Sequence, residues 1–274
     1  MKLPFLALLP TLLASPLAGP EPAPADHRIP TRYESAVIGR RVLALSKLAD
    51  FSTTFPVSHP HAADDADAEF ARRPPEVDGL PISMVDYIAD CEDEGNPTVL
   101  AVKIGTTFRN AAAGSNVSVS LRWIPPYPPS RHILSSSSLW DRAWAAVSGS
   151  EADAATAPET VPYSAANLPR MSLMGYLEPI DNPSDGILNC YIAKHHDARY
   201  WTPGNAIHSS YWARLVVQQV YFVGGFGDRA YIGWIPAEEW HAVTREEWQA
   251  ISLPGEKKGW QEWSAADDMA EIDL

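Results

Sequence analysis

The order of patterns along this 274-residue chain predicts an α+β protein built around an antiparallel β-sheet or barrel, with helices at its periphery. Three observations carry that expectation. One capped helix comes first and is followed by a succession of short strand patterns. Residues 117–123 alternate strictly, with Val117, Val119, Leu121 and Trp123 on one face and Ser118, Ser120 and Arg122 on the other, as a half-buried strand does. Late in the chain, two apolar runs are joined by Gly224, Gly225, Phe226, Gly227 and Asp228, the composition of a hairpin turn.

The helix is announced by Thr31 and Glu34, three residues apart. Together they can satisfy two of the orphan amide donors at a helix start, so a helix is expected over 32–45. Ile38, Val42, Leu45 and Ala49 recur at helical spacing and form the expected core stripe, while Arg40 and Arg41 fall on the wet face. Residues 51–55 read as a short strand stopped by Pro56. The stretch 57–75 has no apolar period and reads as a loop; its His59, His61, Asp64, Asp65 and Asp67 match no rigid metal-ligand spacing.

Strands follow. Residues 82–88 and 98–104 are apolar enough to be covered on both faces, and 171–177 and 211–223 are further strands. In the last of these the apolar phase slips around Gln218 and Gln219, as a β-bulge makes it slip. Residues 230–235 return as the hairpin partner. An insertion at 124–169 separates the strands. It contains a proline-rich connector, a serine spacer, and a helical stripe of Leu139, Trp140, Ala143, Trp144 and Val147 that suits covering one mouth of the sheet core. Two short helices, 238–242 and 245–251, precede an acidic tail at 254–274 that carries Trp260 and Trp263.

The first 25 residues have the layout of a cleavable secretory signal: Lys2, a leucine-rich run, then small residues ending at Ala25. Pro4 and Pro10 interrupt the run, which is too short for a bilayer core of roughly 30 Å. The remainder, 26–253 plus the tail, is long enough for one large domain with a proper core. A net charge of −13 without a Lys or Arg cluster argues against nucleic acid as a partner, and no later run is long enough for a membrane span. Expected residence is extracellular, with a vacuolar or lysosomal lumen also served by the same export route. The two cysteines, Cys91 and Cys190, admit either one disulfide or two buried thiols in such a compartment. Asn116 opens an Asn-Val-Ser sequon ahead of an expected strand and is a candidate glycosylation site; proline excludes Asn96 and Asn182.

Motifs for common chemistry are absent from the sequence. Residues 225–230 match a G-x-G-x-x-A dinucleotide pattern, but a β-like run and Pro236 follow where a helix is required, and Asp228 would repel phosphate. His195, His196 and Asp197, followed by Trp201 and His208, form the tightest polar cluster, better suited to hydrogen bonding at a helix end than to general-base work. No catalytic, cofactor-binding or metal-ligating residues are assigned.

Certain residues carry a resemblance to a known family. The segment from Ile192 through His195, then Trp201, His208, Tyr211 to Leu215, Phe226 and Gly227, and Pro236, Glu238, Glu239 and Trp240, resembles the C-terminal half of the CREG family. These are secreted, often glycosylated proteins related to the pyridoxamine phosphate oxidases. Earlier, Ser52 to Thr54 and Gly79, Leu80 and Pro81 are similar as well. The likeness covers about 32–243; it departs at His196 and Asp197, where the family tends to have His-Pro, and at the insertion. It implies a split β-barrel of the FMN-binding type that forms a homodimer, and a binding protein for an extracellular protein or glycan that has lost flavin. The alternative is an FMN-dependent oxidoreductase, in which Arg122, with Ser118 and Ser120 and Lys103 as an added cation, would hold the phosphate.

Overall fold

The computed structural model describes residues 28–57, 73–129, 164–206, 208–227 and 229–260. The expected leader at 1–25, the loop histidines and aspartates, the 139–147 stripe, Asp228 and Trp263 lie outside the described residues. Among the described residues, seven strands make one antiparallel sheet. They are β1 (Leu48–Thr54), β2 (Pro81–Tyr87), β3 (Thr98–Val102), β4 (Val117–Arg122), β5 (Arg170–Pro179), β6 (Ser210–Val223) and β7 (Ile232–Pro236). Their order is β2-β1-β4-β5-β6-β3, with β7 also on β6.

The helix α1 (Arg32–Leu45) starts at the expected capping box, with Thr31 accepting from the Glu34 amide and the Glu34 carboxylate accepting from the Thr31 amide. Its buried face is not the expected one. Ser35, Ala36, Val37, Gly39, Arg40, Val42 and Leu43 are buried, whereas Leu45 is exposed. Two short C-terminal helices, α4 (Ala237–Ala242) and α5 (Arg245–Ala250), pack on α1 and so close over Arg40. One helix escaped the sequence reading, α2 (Thr106–Ala112), in a segment without apolar period; α3 (Asp185–Lys194), capped by Ser184, ends at His195, so the polar cluster does sit at a helix end, though the start of that helix was not legible.

β6 explains why the sheet is split. From Ala213 to Val223 it pairs with β5, apart from Gln218; on its other edge β3 takes residues Ser210 to Arg214 and β7 takes Gln219 to Val223. The expected bulge lies between these partners. Met174 faces Gln219 and Gly175 faces Val217, which leaves Gln218 unopposed. A Cβ on Gly175 would lie 1.8 Å from the Val216 carbonyl oxygen, so the strand that faces the bulge requires glycine there. At the gap, the Val217 amide donates to Asn96 Oδ1 at 2.9 Å, and the Val217 carbonyl lies 3.0 Å from His241 Nε2. Side chains thus replace the missing strand.

The concave side of the sheet holds Phe51, Val99, Ala101, Val119, Leu121, Leu173, Leu215, Phe222 and Ile235, packed with Ala36, Val42, Leu43 and Trp240. A second cluster joins Leu100 to Ala89, Tyr191, Ala198 and Trp212. β3 therefore is covered on both faces, as its apolar run requires, though it ends at Val102 rather than 104. β2 is not: Met84 and Val85 are exposed because β2 is an edge strand with β1 on one side. An apolar run without alternation reads the same in either place.

The loop 90–96 is tied down at every residue. Arg40 approaches Asp90 at 3.9 Å, Cys91 and Cys190 form a disulfide, and Arg214 meets Glu92 at 2.8 Å. Arg40 also donates to the Asp93 carbonyl and Arg245 to its carboxylate, both at 2.6 Å. The Glu94 carbonyl meets His241 Nδ1, the Gly95 carbonyl accepts from Trp240 Nε1, and Asn96 holds Val217. Gly95 has φ +72, a left-handed conformation that favours glycine, and a Cβ there would fall 2.6 Å from Arg40 Nε.

Candidate functional site

Alternation on β4 turns Val117, Val119 and Leu121 into the core and leaves Ser118, Ser120 and Arg122 on the convex face. The register then decides their neighbours. Ser120 faces Asp50 of β1 and Ser172 of β5, and Arg122 faces Arg170. Leu48, Val85, Ile124 and Trp234 are each more than half exposed on or beside this face. Two open concavities indent it.

The larger, about 550 Å³, is lined by Leu48, Asp50, Val85, Arg122, Arg170 and Tyr221 among others. Arg170 is the cation that sequence reasoning missed. Lys103 does not join: it follows β3, and β5 and β6 separate β3 from β4. The only available signal was that Arg170 immediately precedes the strand expected at 171–177, which does not say what it will face; the observed strand begins at Arg170. Two cross-strand arginines repel each other and favour an anion between them. The fit to a flavin phosphate is nonetheless poor. Asp50 places a carboxylate in the same lining, Arg170 donates to the Ala166 carbonyl at 3.0 Å, and Ser118 and Ser172 share a hydrogen bond at 2.8 Å.

The second concavity, about 450 Å³, is lined by Ser52, Thr54, Asn116, Ser118, Met174, Gln218, Gln219 and Trp234 among others. Asn116 is exposed just before β4. Trp234 meets the edge of Tyr221 with ring centroids 5.1 Å apart.

The histidine cluster is built into the fold. His195 caps α3, is buried, and has Nε2 3.0 Å from the Ile88 carbonyl oxygen. Its ring stacks on Tyr87 at 4.5 Å, and burial lowers its pKa. The Tyr87 hydroxyl donates to Asp197 at 2.5 Å, a bond that lowers the Asp197 pKa. His208 is exposed, with its amide donating to Asn205. The described residues 225–227 and 229–230 lie in the β6–β7 turn, as expected, with the Ala230 amide donating to the Phe226 carbonyl.

Titration is most perturbed beside the disulfide. Burial pushes Asp90 up to about 6, against the pull of Arg40 and Lys194. Burial also pushes Lys194 down to about 8, and its ammonium donates to the Ala44 carbonyl at 2.8 Å. Asp90 Oδ1 and Arg40 Nε lack hydrogen-bond partners among the described residues. Arg40 in this cluster donates to the Trp240 and Val243 carbonyls and so ties α1 to α4 and the residue that follows it. Among the described residues no helix is long and apolar enough to cross a membrane.

A family model described as CREG, beta-barrel matches residues 30–242. No curated protein matches. Among solved structures, a heme-binding protein from Mycobacterium smegmatis is 15% identical, with 78% of this chain and 62% of that one covered and a TM-score of 0.46. The protein Atu2129 of Agrobacterium tumefaciens, of unknown function, is 19% identical over 82% of this chain and 64% of that one, with a TM-score of 0.42. The heme storage protein HutZ of Vibrio cholerae is 14% identical over 73% of this chain and 99% of that one, at 0.37. The chain spans less than two thirds of the first two. At these values the likeness is one of fold alone.

Proposed function

The chain belongs to the CREG beta-barrel family, and on that premise we propose that it is an exported, non-enzymatic binding protein that works as a homodimer and recognises an extracellular protein or glycan. The observation that carries this reading is the convex sheet face. Leu48, Val85 and Ile124 stand more than half exposed around the Arg122 end, an apolar patch of the kind that marks an association surface. Two members of the polar cluster, moreover, are occupied: His195 meets the Ile88 carbonyl just beyond β2, and Asp197 accepts from the Tyr87 hydroxyl.

A second copy seated on the patch would cover Leu48 and Val85. Sedimentation of the purified chain, produced through a secretory route, tests this. A dimer is expected that Leu48→Glu combined with Val85→Glu converts to a folded monomer. A wild-type chain that stays monomeric at high protein concentration overturns the reading.

The FMN reading retains one supporting feature, the Arg122 and Arg170 pair. Bound FMN would supply hydride or electron transfer. Retention of added FMN through gel filtration, lost on Arg122→Ala, would favour it; a colourless protein that ignores FMN removes it.

A further inference from the structure

The concavity around Trp234 differs from its surroundings in one respect. None of its twelve lining residues is ionisable, on a chain whose net charge is −13. What it offers is hydroxyls from Ser52, Thr54 and Ser118, amides from Gln218 and Gln219, and the indole of Trp234. Hydroxyls and amides both donate and accept, which suits a ligand made of hydroxyl groups. An indole gives a flat apolar wall with one polar edge, which suits the C–H face of a sugar ring. A neutral saccharide matches that set; a phosphate, a nucleotide or a peptide carboxylate would find no cation.

The bulge makes this lining. Without it, Gln218 and Gln219 would point to opposite faces of β6; with it, both are exposed and both line the concavity. Gly175, opposite, admits no side chain.

The second observation is Asn116. It is exposed, it begins an Asn-Val-Ser sequon, and it belongs to the same lining. A saccharide attached there begins inside the concavity, so its binding is intramolecular and benefits from a high effective concentration. From β4 across β5 and β6 to β7 is three strand spacings, about 14 Å at about 4.8 Å each. A few linked sugars cover that span.

We propose that the N-linked glycan of Asn116 folds back into this concavity and packs on Trp234, with Gln218 and Gln219 as its hydrogen-bonding partners. The proposal rests on the export reading above, since glycosylation requires the secretory route. It also gives the convex face two ends with different duties: sugar at Trp234, and the second copy at Leu48 and Val85.

The test is glycan trimming on the chain secreted from eukaryotic cells, with site-resolved mass spectrometry. On the native protein, endoglycosidase should remove the Asn116 glycan roughly tenfold more slowly than from Trp234→Ala or from Gln218→Ala with Gln219→Ala. Unfolded, all should be trimmed alike. Circular dichroism and the thermal midpoint verify that the variants are folded. Equal native rates in wild type and Trp234→Ala overturn the proposal. So does slow trimming that persists in Trp234→Ala and vanishes in Leu48→Glu with Val85→Glu, which would assign protection to the second copy. A chain found in the medium with Asn116 bare overturns the proposal but leaves export standing; a chain retained in the cytosol overturns both.

Discussion

The loop 90–96 and the convex sheet face are both rich in polar side chains, and they use them in opposite ways. In the loop, every residue is bonded to a partner remote in sequence, among them Arg40, Cys190, Arg214, Trp240, His241 and Val217. On the face, the hydroxyls of Ser52, Ser83, Ser118 and Ser172 bond only across neighbouring strands, and large apolar side chains stand in solvent. The first region spends its polar groups on holding α1, α3, α4 and the split sheet together. The second leaves them available. The contrast separates what maintains the fold from what meets a partner, and four outcomes can break or sharpen it.

Arg40→Ala should have the largest effect. It strips a buried guanidinium from the carbonyls of Asp93, Trp240 and Val243 and leaves Asp90 unpaired, at a cost of about 3–5 kcal/mol. Denaturant unfolding measures it. Arg40→Lys should recover little, since one ammonium cannot reach three carbonyls. Arg122→Ala on the open face should stay within about 0.5 kcal/mol; a loss like that of Arg40 would erase the distinction.

Next comes the disulfide, which spans 99 residues. Cys91→Ser with Cys190→Ser should cost about 3–4 kcal/mol, as should reduction, because the unfolded chain regains the freedom of a long loop. Unchanged stability on adding reductant would show that the other bonds of 90–96 suffice.

Asp90 gives a pH signature. Its folded pKa of about 6 lies above the unfolded value near 3.9, so the protonated carboxyl is the form the fold favours. Its contribution is fully present below about pH 4 and is lost as pH rises through 6, a decline of at most about 3 kcal/mol. Arg40, Lys194, Arg245 and Asp93 are the charges acting on it. The lowered pKa of His195 acts the other way, adding stability as pH rises. Comparison with Asp90→Asn isolates the Asp90 share: the variant's stability should fall less between pH 4 and 7, and equal slopes would refute the assignment.

The smallest effect is expected at Trp234. Trp234→Ala should change stability by no more than about 0.5 kcal/mol, since more than half of the side chain already meets solvent. A cost several times larger would mark it as part of the fold.

Local signals were legible. The capping box at Thr31 and Glu34, the outward serines of β4, the β6–β7 turn and the slip at Gln218 all involve residues a few positions apart, where hydrogen-bond chemistry and alternation act directly. Arg40 was misread for the opposite reason. Its neighbours on α1 point to a solvated face, and only the arrival of Trp240 and Val243, two hundred positions later, covers it. α2 escaped because its one large apolar residue, Phe108, sets no period. At the site, Ser118, Ser120, Arg122 and Asn116 were visible from alternation and a sequon, whereas Arg170 and Trp234 were not, because register alone brings them to the same face.

By itself, then, the sequence determined the class of fold, most of the strands, the position of the bulge and the absence of common catalytic motifs. These follow from periodicity and turn chemistry, which act over a few residues. Tertiary structure decided which strand lies at the edge of the sheet among the described residues, why an arginine is buried, and how Asn116, Gln218 and Trp234 come to line one uncharged hollow. Those outcomes depend on strand order, and strand order is set by contacts between segments that no local pattern connects.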